Sequence, residues 1–178
     1  MDFTILDFIQ NHMRCDLLDF FFSNITRLGN AGIIWIILGI GLIFQKKHRI
    51  TGIGMLLSML AAFLINDQLI KPLVCRPRPF TFREITLLIP PPNGWSFPSG
   101  HSCSAFCAAV FLFYSDRKLG TPAFVLAGLI AFSRMYLYVH FPTDVLCGSL
   151  LGSLLGFLFF HLCTTVHSRA SGNLRPPR

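Results

Sequence analysis

Long apolar stretches alternate along this chain with short polar segments that carry most of its charged residues. The apolar stretches lack the period-two alternation of a half-buried strand, and a helix needs about 20 mainly apolar residues to cross a bilayer. Because a backbone in lipid must satisfy its own hydrogen bonds, these stretches predict helices. We therefore predict an all-α polytopic transmembrane bundle of about five spanning helices. The predicted spans are residues 29–45, 51–70, 99–114, 122–138 and 143–163.

The first 28 residues have a different pattern, because acidic and basic residues interrupt their Phe, Ile and Leu residues. This pattern favours an amphipathic helix, or a pair of helices, that lies in the membrane interface. The apolar residues 17–22 leave open the alternative that this region extends the first span. We divide the chain into an N-terminal interfacial segment (1–28), a membrane core (29–166) and a basic tail (167–178).

The composition supports lipid as the solvent of most of the chain. Hydrophobic residues make up 53% of the 178 residues and charged residues 13%, and the mean hydropathy is +0.60. A soluble domain usually carries about 25% charged residues. In a soluble protein the net charge of +7 would raise the question of nucleic acid. Here the basic residues form short clusters between apolar stretches, so we expect a bilayer, no nucleic acid and no obligate protein partner.

The basic clusters also predict the topology. Residues 46–49, 117–118 and the tail fall on one side of a five-span bundle, and their positive charge places that side, with the C-terminus, in the cytoplasm. The opposite side receives residues 71–97 and 139–142. The first of these outer segments is also basic, which the positive-inside rule does not explain. A bound anion would explain it.

Three short polar motifs lie at predicted helix ends on this outer side. An active site requires such convergence of sequence-distant polar groups. The first motif runs from Lys71 to Arg78 and Pro79, the second is Pro98-Ser99-Gly100-His101, and the third contains Ser133-Arg134, His140 and Asp144.

The residue types in these motifs suit a phosphoryl group. A phosphoryl group in transfer spreads negative charge over its oxygens, so an enzyme must surround it with positive donors. Lys71, Arg78 and Arg134 supply charge, and each guanidinium can bind two oxygens at once. Ser99 adds a hydroxyl, and the backbone N–H of Gly100 lies at a predicted helix start, where an anion is favoured.

The pattern K-x6-RP, PSGH and SR-x5-H-x3-D resembles that of the type 2 phosphatidic acid phosphatase (PAP2) superfamily of lipid phosphatases. All three elements are present in order, between Lys71 and Asp144. The resemblance implies a membrane catalytic domain that hydrolyses a lipid phosphate ester or diphosphate.

The resemblance also implies roles for three residues. His140 is the expected nucleophile, which forms a phosphohistidine, and Asp144 is expected to orient its ring. His101 is expected to protonate the leaving oxygen and then to activate water. Because Lys and Arg side chains supply the positive charge, we expect no metal and no other cofactor.

Two other classes of function compete with this one. Intramembrane charge can mark the pathway of an anion or lipid transporter, although the two halves of the chain show no inverted repeat. A metal hydrolase could use His101, Cys103, His140 and Asp144 as ligands. However, Cys103 should point about 200° around the helix from His101, and the cationic surroundings would repel a metal ion.

The substrate is less sharply indicated than the reaction. Within the resembled family, a short chain with an outward-facing site is most similar to bacterial undecaprenyl diphosphate phosphatases, located in the cytoplasmic membrane with an extracytoplasmic active site. Phosphatidylglycerolphosphate or phosphatidic acid phosphatase is the alternative.

Several residues receive structural interpretations. Asp67 and Lys71 are four residues apart, so an ion pair is expected. The three glycines at 148, 152 and 156 recur every four residues and predict a close helix approach. The roles of Cys75 and Arg76 are left open.

Overall fold

The computed structural model describes residues 1–170, which form helices and loops with no β-strand among them. The predicted all-α fold is confirmed. A π-helix, Leu64–Ile70, joins α4 to α5, and short 3₁₀ turns lie at Asn30–Gly32 and Pro79–Thr81. The α-helices are α1 (Asp2–His12), α2 (Asp16–Leu28), α3 (Ile33–Phe44), α4 (Arg49–Phe63), α5 (Lys71–Val74), α6 (Gly100–Ser115), α7 (Arg117–Tyr136) and α8 (Pro142–Ala170).

The predicted spans correspond to helices of unequal length. Within the described residues, three helical runs are long and apolar enough to cross a membrane: Arg49–Thr81, Arg117–Tyr136 and Pro142–Arg169. Helices α2 and α3 reach that length only as a pair bent by 48°. Helix α6, with 16 residues, is shorter than a full span. Helix α3 is therefore shorter than the first predicted span, 29–45. Helix α6 coincides with the third predicted span, 99–114, to within one residue.

The bend between α2 and α3 has a local backbone cause. Ala31 and Gly32 both have left-handed backbone angles, with φ of 49° and 69°, which interrupt the helix. Residues 17–22 lie in α2, which is joined to α3 across this kink. The interfacial position of residues 1–28 stays a prediction, as does the C-terminal boundary of the membrane core at residue 166. That boundary falls inside α8, and residues 171–178 of the predicted tail lie outside the described residues.

Helix α6 is the centre of the bundle, because it packs against α4, α7 and α8. Small side chains allow this crowding: Ala105, Ala108 and Ala109 are fully buried. Since α6 contacts protein on most sides, little of its surface is left for lipid to cover. Its N-terminus therefore lies among the ends of the surrounding helices.

The predicted glycine stripe forms the contact between α8 and α6. A Cβ atom added to Gly148 would lie 2.5 Å from the carbonyl oxygen of Ser99. Added to Gly152, it would lie 2.1 Å from the carbonyl oxygen of Cys103. These distances leave no space for a side chain. The contact fixes α8, and with it the segment before α8, against the start of α6.

We expect Gly152→Ala to destabilise the protein, because the added methyl would overlap the backbone of α6. Overpacking of this kind typically costs about 1–3 kcal/mol. Gly128→Ala in α7 is the matched control, since its Cβ would meet nothing within 4 Å. Removing a glycine from a helix interior is worth about 0.5–1 kcal/mol, so this variant should be neutral or stabilised. Thermal unfolding in detergent measures both, and equal midpoints would contradict the packing argument.

Candidate active site

Residues of the three motifs and of the loop between α5 and α6 line one cavity of about 590 Å³ from five parts of the chain. They come from the start of α5, the loop after it, the start of α6, the end of α7 and the segment before α8. The structure therefore brings the three motifs together at one end of the bundle. The motif residues that line the cavity are Lys71, Arg78, Gly100, His101, Arg134 and His140.

The loop between α5 and α6 folds around the guanidinium of Arg78, which is only 6% exposed. Its Nε donates to the carbonyl oxygen of Gly94 at 3.0 Å, and its Nη2 donates to that of Asn93 at 3.1 Å. Its Nη1 lies 2.9 Å from the carbonyl oxygen of Val139 and 3.1 Å from Nε2 of His140. Arg78 is thus a fixed charge beside the His140 ring.

Arg134 and Lys71 are the other two cations of the cavity. Arg134 is 2% exposed, and its Nη1 donates to the hydroxyl of Thr26. Among residues 1–170, its Nε has no hydrogen-bond partner. Lys71 pairs with Asp67 across one turn, which confirms the ion pair expected from their spacing. The π-helix presents Asp67 to the cavity, where it is the carboxylate among the lining residues.

Asp144 is fully buried and accepts three hydrogen bonds. Its Oδ2 accepts from the hydroxyl of Ser96 at 2.5 Å and from the backbone N–H of Phe141 at 2.9 Å. Its Oδ1 accepts from Nη1 of Arg76 at 2.6 Å. Nδ1 of His140 lies 3.5 Å from Oδ2. The carboxylate therefore faces the imidazole across a longer distance than those three bonds.

The contacts of His140 define its tautomer. A guanidinium donates hydrogen bonds and cannot accept them, so Nε2 beside Arg78 must carry the lone pair. The ring proton then resides on Nδ1, which faces Asp144. Burial, followed by the charges of Arg78, Arg134 and Lys71, keeps the pKa of His140 well below its ordinary value of 6.5. The uncharged form of the ring is therefore favoured, with the lone pair of Nε2 directed at Arg78.

The PSGH motif divides between the cavity and the helix cap. Ser99 caps α6, because its hydroxyl oxygen accepts from the backbone N–H of Ser102 at 3.4 Å and from the hydroxyl of Ser102 at 2.9 Å. Ser99 is not among the cavity-lining residues. Its part in phosphate binding stays a prediction. A Cβ on Gly100 would lie 3.0 Å from Asp67 and 3.3 Å from Nζ of Lys71, so glycine lets that ion pair approach the helix start. His101 lies at the cavity wall.

Arg76 contacts the site from outside the cavity. In addition to Asp144, it binds Oδ2 of Asp2 at 2.7 Å and the hydroxyl of Thr143 at 2.7 Å. Its guanidinium carbon lies 4.0 Å from the ring centroid of Phe141. The RPRP sequence was the only signal for this residue, and nothing in the sequence singled out Ser96 or Thr26. The thiol of Cys75 is exposed and donates to the carbonyl oxygen of Pro72 at 2.9 Å.

Helix α1 is tied to the same region. The hydroxyl of Tyr138 donates to Asp7 at 2.7 Å, and burial together with Asp7 raises the pKa of Tyr138 to about 12. Gln10 donates to the carbonyl oxygen of Tyr136 at 2.7 Å.

Among residues 1–170, no group of three or more His, Cys, Asp or Glu side chains is placed to hold a metal ion.

Comparison with known proteins agrees with this arrangement. Residues 51–168 match the PAP2 superfamily. The chain is 34% identical over 134 residues to an undecaprenyl-diphosphatase of Sulfolobus acidocaldarius, covering 74% of this chain and 65% of that protein. It is 38% identical over 152 residues to phosphatidylglycerophosphatase B of Bacillus subtilis, covering 76% and 70%. The chain thus spans just under two thirds of the first of these relatives.

A solved structure supports the same relationship over most of the chain. The PAP2-type phosphatidylglycerolphosphate phosphatase of Bacillus subtilis superposes with a TM-score of 0.68 at 32% identity, covering 93% of this chain and 82% of that one. The matched region contains all three motifs, whose residues surround one cavity. By sequence and by structure, the chain belongs to the PAP2 superfamily.

Proposed function

We propose that this chain is an integral membrane phosphatase that hydrolyses a phosphate monoester or diphosphate of a lipid through a phosphohistidine intermediate. One observation carries the proposal: an uncharged imidazole, His140, lies in a cavity lined by three cationic side chains. A neutral nucleophile surrounded by fixed positive charge suits attack on the phosphorus of an anionic phosphoryl group, because the cations stabilise the charge on its oxygens.

The cationic side chains have unequal capacity for a phosphoryl group. Nε of Arg134 has no partner within the described part of the chain, so a phosphoryl oxygen would satisfy a buried donor. Lys71 shares its charge with Asp67, and the three cations exceed this single carboxylate. An anion entering the cavity therefore gains both charge compensation and hydrogen bonds.

The reaction proceeds in two balanced steps. Nε2 of His140 forms a bond to phosphorus while the bond from phosphorus to the lipid-side oxygen breaks, and His101 gives a proton to that oxygen. Arg78 moves its hydrogen bond from Nε2 to a phosphoryl oxygen. Water then attacks phosphorus, the nitrogen–phosphorus bond breaks, and His101 takes the proton released by water. Asp144 stabilises the positive ring between the steps.

The other end of the cavity is suited to a lipid chain. Ile36 of α3 and Leu60 and Phe63 of α4 line it, and these side chains are 38%, 53% and 50% exposed. An apolar chain attached to the phosphate would therefore lie along α3 and α4 and reach the surface that these helices present to the membrane. A water-soluble phosphate ester would leave this wall uncovered.

We propose undecaprenyl diphosphate as the preferred substrate, with the site on the extracytoplasmic face of a bacterial cytoplasmic membrane. An undecaprenyl-diphosphatase is among the relatives that match this chain over 74% of its length. Phosphatidylglycerolphosphate is the alternative, because a relative and a structural neighbour are named for that activity.

We expect His140→Ala to abolish phosphate release, with a loss of roughly 10³-fold or more, because it removes the attacking atom. Asp144→Asn should cost less, since the nucleophile remains. His12→Ala, at an exposed histidine of α1, is the matched control. Phosphate release by purified protein in detergent measures the effect. An acid-labile, base-stable phosphoenzyme should accumulate in wild type and be missing from His140→Ala; a phosphoenzyme in that variant would contradict the mechanism.

Substrate preference is tested by side-by-side assays. Undecaprenyl diphosphate, phosphatidylglycerolphosphate and phosphatidic acid are compared in mixed micelles containing EDTA. We expect the highest kcat/KM for undecaprenyl diphosphate. Faster turnover of either glycerolipid would transfer the assignment to the alternative while leaving the phosphatase chemistry intact.

The lowered pKa of His140 predicts when the nucleophile is lost. Because the charged form is disfavoured by burial and neighbouring cations, the ring should stay neutral at pH 6.5 and take up a proton only well below that value. The ¹⁵N shifts of ring-labelled enzyme in micelles, assigned with His140→Gln, report this directly. A His140 ring half protonated near pH 6.5 would contradict the electrostatic argument.

A further inference from the structure

The ring of His101 has a partner that lies outside the three motifs. Its Nε2 is 3.0 Å from Oδ1 of Asn30. Because the amide oxygen is an acceptor only, the nitrogen beside it must carry a proton. Nδ1 is then the nitrogen of His101 that remains for chemistry in the cavity. The two residues are 71 positions apart, so no sequence motif connects them.

The backbone around Asn30 is shaped to bring it to His101. A Cβ on Gly29 would lie 2.7 Å from Cδ2 of His101 and 2.8 Å from Cγ2 of Ile130, so glycine is needed for this close approach. The next residues, Ala31 and Gly32, adopt left-handed angles. Alanine rarely adopts this conformation, and such local strain tends to occur where function requires it. The kink that shortens α3 therefore has a second consequence, the contact with His101.

We propose that Asn30 is a positioning residue that fixes the ring orientation and tautomer of His101, so that proton transfer runs through Nδ1 alone. This inference rests on the proposed role of His101 as general acid and base. The amide oxygen accepts from Nε2–H in both the charged and the neutral ring, and it adds no charge of its own.

The proton balance follows from this arrangement. In the first step, the negative charge of the bound phosphate offsets the neighbouring cations and favours the charged ring of His101. Its Nδ1–H then gives its proton to the lipid-side oxygen as the phosphorus–oxygen bond breaks. In the second step, Nδ1 of the neutral ring takes a proton from water as the new phosphorus–oxygen bond forms. Nε2–H of His101 keeps its hydrogen bond to Oδ1 of Asn30 through both steps. Without Asn30 the ring can rotate or exchange tautomers, and a share of the molecules then presents the wrong nitrogen.

A purely structural role for Asn30 is disfavoured by its exposure. The Asn30 side chain is exposed, as is its hydrogen bond to His101. Exposed neutral hydrogen bonds contribute little to stability, so its loss should change activity far more than the unfolding midpoint. The test must therefore separate proton transfer from folding and from substrate binding.

Leaving-group dependence provides that separation. A 4-nitrophenyl phosphate releases a weakly basic oxygen that needs no proton, whereas a short-chain alkyl phosphate does need one. We expect Asn30→Leu to lower kcat/KM for the alkyl phosphate by about 10²-fold, the size typical of general acid catalysis, and that for the nitrophenyl ester by only a few fold. The loss should appear in kcat and not in KM. Asn24→Leu, at an exposed asparagine of α2 that donates to Phe20, is the matched control and should resemble wild type.

Conservative variants keep the test decisive if Asn30→Leu folds poorly. Asn30→Asp retains an acceptor for Nε2–H and should restore much of the alkyl phosphatase activity. Its carboxylate also holds the charged ring more strongly, so the alkaline limb of its pH–rate profile should move to higher pH. Asn30→Ser should lie between wild type and Asn30→Leu. Equal losses of kcat/KM for both esters in Asn30→Leu, or an unmoved pH profile in Asn30→Asp, would overturn the proposal.

The same assay on His101→Gln distinguishes this inference from the proposed function. A loss of kcat/KM confined to the alkyl phosphate supports His101 as the general acid, because kcat/KM reports phosphoryl transfer to His140 and not the later water step, which both esters share. If His101→Gln is selective and Asn30→Leu is not, the role of Asn30 fails alone. If His101→Gln lowers kcat/KM equally for both esters, the proposed role of His101 as general acid fails, and the inference fails with it.

Discussion

The buried positive charge of Arg78 and Arg134 is the constraint on which the rest of this structure depends. A guanidinium removed from water needs acceptors for its N–H groups, or the cost of burial is large. Carbonyl oxygens of the α5–α6 loop and of Val139 meet this need for Arg78. Thr26 meets it in part for Arg134. The loop is therefore held in place by the charge that it encloses.

The position of that charge follows from the short central helix α6. Its alanines and the glycines of α8 allow four helix ends to meet within side-chain reach, so groups distant in sequence share one cavity. A longer helix with larger side chains would push these ends apart. The geometry of the site thus originates in the packing of small residues below it, which carry no chemistry themselves.

The sequence predicted some parts of this arrangement and could not have predicted others. The motifs had fixed spacing, and the helix ends were readable from the apolar pattern, so the convergence of Lys71, His101 and His140 was expected. The shortening of the first span was not expected, because hydropathy reports apolar length and does not detect a backbone kink such as that at Ala31 and Gly32. Contacts such as those of Ser96 and Asn30 join distant segments through a single polar side chain. No periodicity or spacing records such a pair, and only three-dimensional packing reveals it.

Arg76 and Asp2 give the amphipathic start of the chain a further significance. One guanidinium bridges the first turn of α1 and the carboxylate behind His140, with Phe141 beneath it. Removing α1 would expose one face of that bridge to solvent and free Arg76 to turn away from Asp144. A shortened version that begins at α2 would therefore be a poor minimal enzyme, even though every family motif would remain in it.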